Sequence, residues 1–191
     1  MSLKIHPVIE KVKEGIANKA FIHNEWYLQH HIEVVLSLSK EFSKIENVEF
    51  TLDMELLVWM HDYGKIFECN KRYDKYQVFL QECGLSNGIS KKIVNWIIEM
   101  DAKNNLHNAD IEVQIVSSAD GVSHLITPFY MFYWRENSNH NIEEILKENR
   151  RKLEADWCKK ITLDFAREKY VAFYNSLSTQ FEAGIGLTKN A

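Results

Sequence analysis

The chain has 191 residues and a net charge of −4, with 46% of its residues apolar and 26% charged. These proportions are those of a folded globular protein, so they exclude a mainly disordered chain. The acidic balance argues against general nucleic-acid binding, because proteins that wrap nucleic acid usually carry a net positive charge.

The sequence further predicts a cytoplasmic protein with no membrane span. The longest uncharged apolar stretch, residues 125–134, is shorter than the roughly 18 residues that a spanning helix needs. The N-terminal residues lack the apolar core of a signal peptide. Three widely spaced cysteines favour free thiols over a disulfide framework.

Seven glycines and two prolines leave few helix breakers, and apolar residues recur mostly three and four apart, which predicts an all-α fold. In chain order, the predicted helices cover about residues 7–21, 24–42, 52–64, 72–83, 89–100 and 110–126, with one or two further helices over 142–177. Thr51 is expected to cap the third helix, and Gly84 to stop the fourth.

The predicted arrangement is a single helical domain over residues 1–183, with residues 184–191 expected to be disordered. The helix that follows Asp110 is apolar nearly all round, so we expect it at the centre of the bundle. Helices over about 141–181 are expected to pack outside, and the aromatic run 129–134 to pack between them and the core. Their basic residues are expected to form a solvated face: Lys147, Arg150, Arg151, Lys152, Lys159 and Lys160.

A histidine–aspartate doublet, His61-Asp62, is the first chemical feature of the sequence. Burying a carboxylate without a partner costs several kcal/mol, so a doublet on a buried helix predicts a ligand between helices. His31 lies on the preceding helix, and at 1.5 Å per residue the two histidines stand at roughly 18 and 14 Å from the connecting turn. They can therefore meet across the groove. His30 is the rival of His31, but His31 shares the apolar stripe of its helix.

Asp120 is the fourth candidate ligand, an acid in an apolar segment whose small neighbours let another helix approach closely. Two imidazoles and two carboxylates suit a first-row divalent ion and leave positions for water and substrate. The sequence therefore predicts one divalent metal ion, drawn from Mn, Co, Ni, Zn, Fe and Mg.

The order of His31, His61-Asp62 and Asp120 on helices resembles the HD-domain superfamily of metal-dependent phosphohydrolases. Three segments are similar to that family in the same order: HIEVVLSLS, LLVWMHDYGK and ADIEVQIVSSADGVSHL. The resemblance covers about residues 25–125. It implies an HD-type helical bundle with the metal between its core helices.

The resemblance also implies a metal-dependent phosphohydrolase in which the ion activates a water for in-line attack on a phosphate ester. The implied substrate is a nucleotide or a related small molecule. Asp62 or Asp120, both ligands of the ion, would also orient the water, and Lys65 would steady the phosphate as a point charge. His124, four residues after Asp120 and thus on the same face, would contact either the substrate or a ligand of the ion.

Two departures from the family narrow these expectations. Only His107 lies between the doublet and Asp120, and Glu99 and Asp101 stand where dinuclear members carry a further histidine, so one ion is expected. Lys65 occupies a position that is glutamate in some nucleotidase members. A non-catalytic module that binds a metal or a nucleotide for sensing is the alternative to an enzyme.

Overall fold

The computed structural model describes residues 6–136 and 139–188. The helices are α1 (Pro7–Ala17), α2 (Glu33–Ile45), α3 (Leu52–Met60), α4 (Tyr63–Ile66), α5 (Tyr73–Glu82), α6 (Asn87–Ala102), α7 (Ile111–Ile126), α8 (Phe129–Glu136), α9 (Ile142–Ala155) and α10 (Asp164–Thr188). Two π-helical turns, π1 (Leu28–Ile32) and π2 (Asp156–Lys160), and a 3₁₀ turn (Leu106–Asn108) complete the structure. Over these two ranges there is no strand, so the predicted all-α class is confirmed.

Helix α7 forms the centre of the bundle, as its sequence predicts. Twelve of its sixteen residues are buried. It packs against α2, α3, α6 and α10, and against π2. A helix with neighbours on nearly every side has no solvated face to cover, which explains why its sequence is apolar nearly all round.

Local sequence signals account for several helix ends. The Thr51 hydroxyl accepts a hydrogen bond from the Met54 amide at 3.4 Å and caps α3. Gly84 follows α5 with φ of +92°, a left-handed conformation that favours glycine, and stops that helix. Both residues were predicted in these roles.

Helix α3 ends at Met60, before the His61-Asp62 doublet, although the sequence predicts that it continues to Gly64. Asp62 has φ of −111° and ψ of 16°, outside the helical region, and the short helix α4 begins after it. Gly64 lies in α4 where the chain passes close to its neighbours, because a Cβ there would lie 2.0 Å from the Tyr76 hydroxyl and 2.9 Å from the Asn70 Cα. The doublet thus lies in the turn between α3 and α4.

The second predicted helix also differs from a continuous α-helix. Its N-terminal part is π1, in which the Glu33 amide donates to the Leu28 carbonyl five residues back. The first predicted helix is shorter than expected and ends at Ala17.

Helix α10 continues through Thr188, whereas the sequence predicts a disordered segment from residue 184. Phe181 is buried, Ile185 packs against the core, and the open face of Gly184 lies against Leu146 of α9. These contacts stabilise the last turns as helix. Residues 189–191 of the predicted tail lie outside the described ranges. No helix within those ranges is both long and apolar enough to cross a membrane.

Gly121 lets α7 approach π2 closely. A Cβ at this position would lie 2.7 Å from the Ile161 Cγ1 and 3.2 Å from the Lys160 Cβ. Both atoms lie near the backbone and Ile161 is fully buried, so neither can move freely. We expect Gly121→Ala to lower the free energy of unfolding by about 1–3 kcal/mol, the usual cost of overpacking. Urea denaturation measures this value.

Gly88→Ala in α6 is the matched control for Gly121→Ala. The nearest atom to its added Cβ is the Ser86 Oγ at 4.0 Å, so the methyl group meets open space. The free energy of unfolding of this variant should equal that of the wild type or exceed it by up to about 1 kcal/mol, because alanine has a higher helix propensity than glycine. Equal stability of the two variants would contradict the close contact between α7 and π2.

Candidate metal centre

Four side chains predicted from the sequence converge between α7 and the break after α3. The Nε2 atoms of His31 and His61 lie 3.2 Å apart. The Asp62 Oδ2 lies 3.7 Å from each of these nitrogens. The Asp120 Oδ1 lies 3.8 Å from the His31 Nε2 and 4.0 Å from the His61 Nε2. Two nitrogens and two oxygens thus lie close together, and His31, His61 and Asp62 form one group of donors close enough to share an ion.

The local backbone structure sets the direction of the three side chains that precede Asp120 in the sequence. His31 lies in π1, where it is buried while its neighbour His30 is exposed, as the helical stripe predicts. His61 and Asp62 occupy the break between α3 and α4, which brings two adjacent side chains to the same point. Residues one apart on a regular helix point about 100° away from each other, so the break is necessary for this geometry.

Three histidines at the site hold their proton on Nδ1. The Nδ1–H of His61 donates to the Val58 carbonyl at 2.7 Å. The Nδ1–H of His31 donates to the Ser123 hydroxyl at 3.1 Å, and that hydroxyl donates onward to the Asp120 carbonyl at 2.8 Å. The Nδ1–H of His124 donates to the Asp156 Oδ2 at 2.8 Å. A neutral imidazole bonded in this way presents a lone pair at Nε2.

The lone pairs of His31 and His61 face each other at 3.2 Å, with two carboxylate oxygens beside them. Four donor atoms without a hydrogen between them repel one another unless a cation lies among them. Donors bound at about 2.0–2.2 Å to one ion lie about 3 to 4 Å apart, which matches these distances. The residues present therefore fit a divalent metal ion.

The protonation states also suit a metal. Burial raises the pKa of Asp120, but Lys160 and the nearby histidines outweigh it and hold this pKa well below its ordinary value. Burial acts on Asp62 in the same way, and Lys65 and His61 hold its pKa well below the ordinary value. Burial lowers the pKa of His31 and lowers that of His124 to about 3. Ionised carboxylates and neutral imidazoles are the forms that bind metals.

Lys65 and His124 lie where the sequence expects them. The Lys65 ammonium contacts the Asp62 Oδ1 at 2.6 Å and is about half exposed. The His124 Nε2 lies 3.5 Å from the Asp120 Oδ1. With His31 and Asp120, His124 forms a second group of donors close enough to share an ion. The other histidine considered from the sequence, His107, is exposed in the 3₁₀ turn.

Two charged residues from the C-terminal part reach the site, and the sequence analysis misses both. The turn π2 places Lys160 against Asp120 in a short ion pair, and Asp156 against His124. The expectation that Lys160 belongs to a solvated face is wrong, because this residue is buried. Alternating charges on a helix usually indicate a solvated face, whereas the π turn rotates Asp156 and Lys160 inward.

Tyr27 is a third residue that the sequence analysis misses. Its hydroxyl donates a short hydrogen bond to the Asp62 Oδ2. Burial and the Asp62 carboxylate raise its pKa well above the ordinary value, so it stays protonated as a donor. An aromatic residue on a buried helical stripe normally indicates core packing, so its pattern carries no sign of this role.

Two cavities flank the site. The first, of about 160 Å³, has four lysines in its wall, namely Lys65, Lys103, Lys152 and Lys160; we call it the lysine cavity. The second, of about 190 Å³, has the aromatic side chains of Trp26, Tyr27, Phe129 and Tyr133 in its wall; we call it the aromatic cavity. The expectation that the run 129–134 only packs between helices is therefore incomplete.

Comparisons of the chain with protein-family models, with curated proteins and with solved structures yield no match.

Lys160 balances two buried carboxylates, Asp120 and Asp156. Removing one partner from a buried ion pair costs about 3–5 kcal/mol, so Lys160→Met should lower the melting temperature of the metal-free protein strongly. Manganese should restore part of the loss, since an ion on Asp120 replaces the missing positive charge. Thermal melts with and without manganese measure both effects.

Lys159→Met is the control for this experiment, because Lys159 is the exposed neighbour of Lys160. It should leave the melting temperature and the response to manganese as in the wild type. A Lys160→Met protein as stable as the wild type without metal would contradict the compensating role of this lysine.

Proposed function

We propose that this chain is a metal-dependent phosphohydrolase that binds one divalent ion through His31, His61, Asp62 and Asp120. The observation that carries the proposal is the pair of facing imidazole lone pairs at 3.2 Å with two ionised carboxylates beside them. A buried group of this composition has an unfavourable repulsion that a divalent ion removes. The order of these residues along the chain supports an HD-type enzyme, which the sequence resemblance implies.

The proposed substrate is a phosphate ester, because positive side chains surround the metal site. A divalent ion held there supplies a Lewis acid that polarises a phosphoryl oxygen and lowers the pKa of water. Lys65 is half exposed and lies beside Asp62, so its ammonium group can bind a phosphoryl oxygen that arrives from solvent. Tyr27 holds the Asp62 carboxylate from the opposite side and keeps it in place.

His124 is the proposed substrate contact next to Asp120. Its Nε2 faces the same space as the metal donors, and Asp156 fixes its ring through the Nδ1–H. A carboxylate that orients a histidine in this way is a common feature of metal sites, because it fixes both the tautomer and the ring direction. The burial of the pair excludes bulk water from this side of the site.

Asp62→Ala should abolish both metal binding and hydrolysis while the fold survives. Outer partners of metal ligands already contribute 10–100-fold to affinity, so loss of a direct ligand should lower metal affinity by at least about 100-fold. The measurement is phosphate release from a panel of nucleotides and other phosphate esters with manganese, cobalt, nickel, zinc or magnesium. Metal content of the purified protein is measured in parallel.

Asp74→Ala is the matched control, because this carboxylate is 71% exposed and lies outside the site. It should retain wild-type metal content and turnover. Undiminished turnover in Asp62→Ala would exclude the proposed mechanism. Metal binding by the wild type without cleavage of any ester would instead support the non-catalytic sensing module.

A further inference from the structure

The lysine cavity brings four lysines together beside the candidate metal site. Lys160 is buried against Asp120, and Lys152 lies 3.4 Å from the Asp156 Oδ2 and is largely covered. Lys103 lines the same cavity, and burial and the nearby Lys160 lower its pKa. An anion that lies between such lysines lowers their electrostatic energy and so stabilises the arrangement.

Lys103 also has an uncommon backbone conformation. Lys103 caps α6 with φ of 52° and ψ of 19°, in the left-handed region that a residue with a Cβ rarely adopts. Glycine is the usual residue at such a helix end. A lysine there accepts backbone strain while its side chain lines the cavity.

A charge count at the site favours a dianion. The four lysines of the cavity face three carboxylates in its wall, Asp62, Asp101 and Asp120. Asp156, which contacts both Lys152 and Lys160, supplies a fourth negative charge. The protein charges therefore cancel. A divalent ion adds two positive charges, which a ligand with two negative charges neutralises.

Phosphate monoesters and diesters differ in the number of negative charges they carry. A phosphomonoester has a second pKa near 6 and carries close to two negative charges at neutral pH. A phosphodiester has no second acidic proton and carries one. The lysine cavity, at about 160 Å³, has about five times the volume that a water molecule takes in the liquid, so it admits a phosphoryl group.

The aromatic cavity lies on the other side of the same residues. Asp62, Lys65 and Lys152 line both cavities, so the two cavities adjoin. Trp26 stacks on Phe132 with ring centroids 5.1 Å apart, which keeps the wall of the aromatic cavity flat and fixed. A flat apolar group gains both burial and ring contacts in such a space.

We propose that the ligand of this site is a phosphomonoester whose dianionic phosphoryl group lies in the lysine cavity and whose flat apolar portion lies in the aromatic cavity. This inference rests on the proposed function and adds the class of ester to it. It assigns Lys103, Lys152 and Lys160 to phosphoryl binding, and Tyr133 to the organic portion.

The test uses three phosphonates, whose phosphorus–carbon bond resists hydrolysis, with the manganese-loaded full chain. Benzylphosphonate carries two charges and a ring, its monomethyl ester carries one charge and a ring, and methylphosphonate carries two charges without a ring. Calorimetry at a pH where the free phosphonates are dianions gives each affinity, and phosphorus NMR checks that the probes stay intact. We expect benzylphosphonate to bind at least tenfold more tightly than either of the others.

Variants assign the two halves of the ligand. Lys103→Met should weaken the binding of benzylphosphonate at least tenfold and reduce the protein's preference for it over the monomethyl ester. Tyr133→Leu should weaken benzylphosphonate but leave methylphosphonate unchanged. Lys147→Met is the control, because Lys147 is exposed and pairs with Glu143. It should leave all three affinities unchanged.

Several outcomes would overturn the inference. Equal affinities for benzylphosphonate and its monomethyl ester, no binding of any probe, or a Lys103→Met protein with wild-type affinities would each do so. If the protein still binds manganese in these cases and this binding requires Asp62, only the class of ligand is wrong and the proposed metal-dependent function stands. If the wild type retains no metal, both the class of ligand and the proposed function are wrong.

Discussion

The burial of the Asp120 carboxylate is the constraint on which the rest of the site depends. A carboxylate at the centre of a helical bundle must have positive charge beside it, since an isolated buried charge costs many kcal/mol. Lys160 supplies that charge from π2, and Gly121 opens the space through which π2 approaches α7. The ion pair thus fixes how the C-terminal helices join the core.

The same constraint explains the arrangement of the histidines. Each imidazole has its Nδ1–H bonded to a fixed acceptor and its Nε2 directed at Asp120 or at a second histidine. Hydrogen bonds on the outer nitrogens fix the orientation of the inner ones before any ligand binds. A site prepared in this way loses little conformational freedom on binding, and this favours affinity.

The sequence predicts the helical class, the central helix and the four donors because each depends on local signals. Helical periodicity distinguishes the buried His31 from the exposed His30, and an acid in an apolar helix identifies Asp120. The break at the doublet is less predictable, because the apolar pattern of α3 continues into the doublet without a helix-breaking residue before Gly64. Lys160 and Asp156 are missed for a similar reason. Their charges alternate as on a solvated helix, and only the packing of π2 on α7 rotates them inward.

The two π turns, π1 and π2, set the direction in which the residues after them point. A π turn closes its hydrogen bond five residues apart instead of four, so it holds one residue more than the α turn it replaces. If residues 156–160 instead continued α9 as a regular helix, the residues at the end of this segment would rotate by about 100° around the axis. Lys160 would then turn away from Asp120, and the central carboxylate would lose its counter-charge without any change in the four donor residues. The register of a short surface-to-core connection is therefore as necessary to this site as the identity of its ligands.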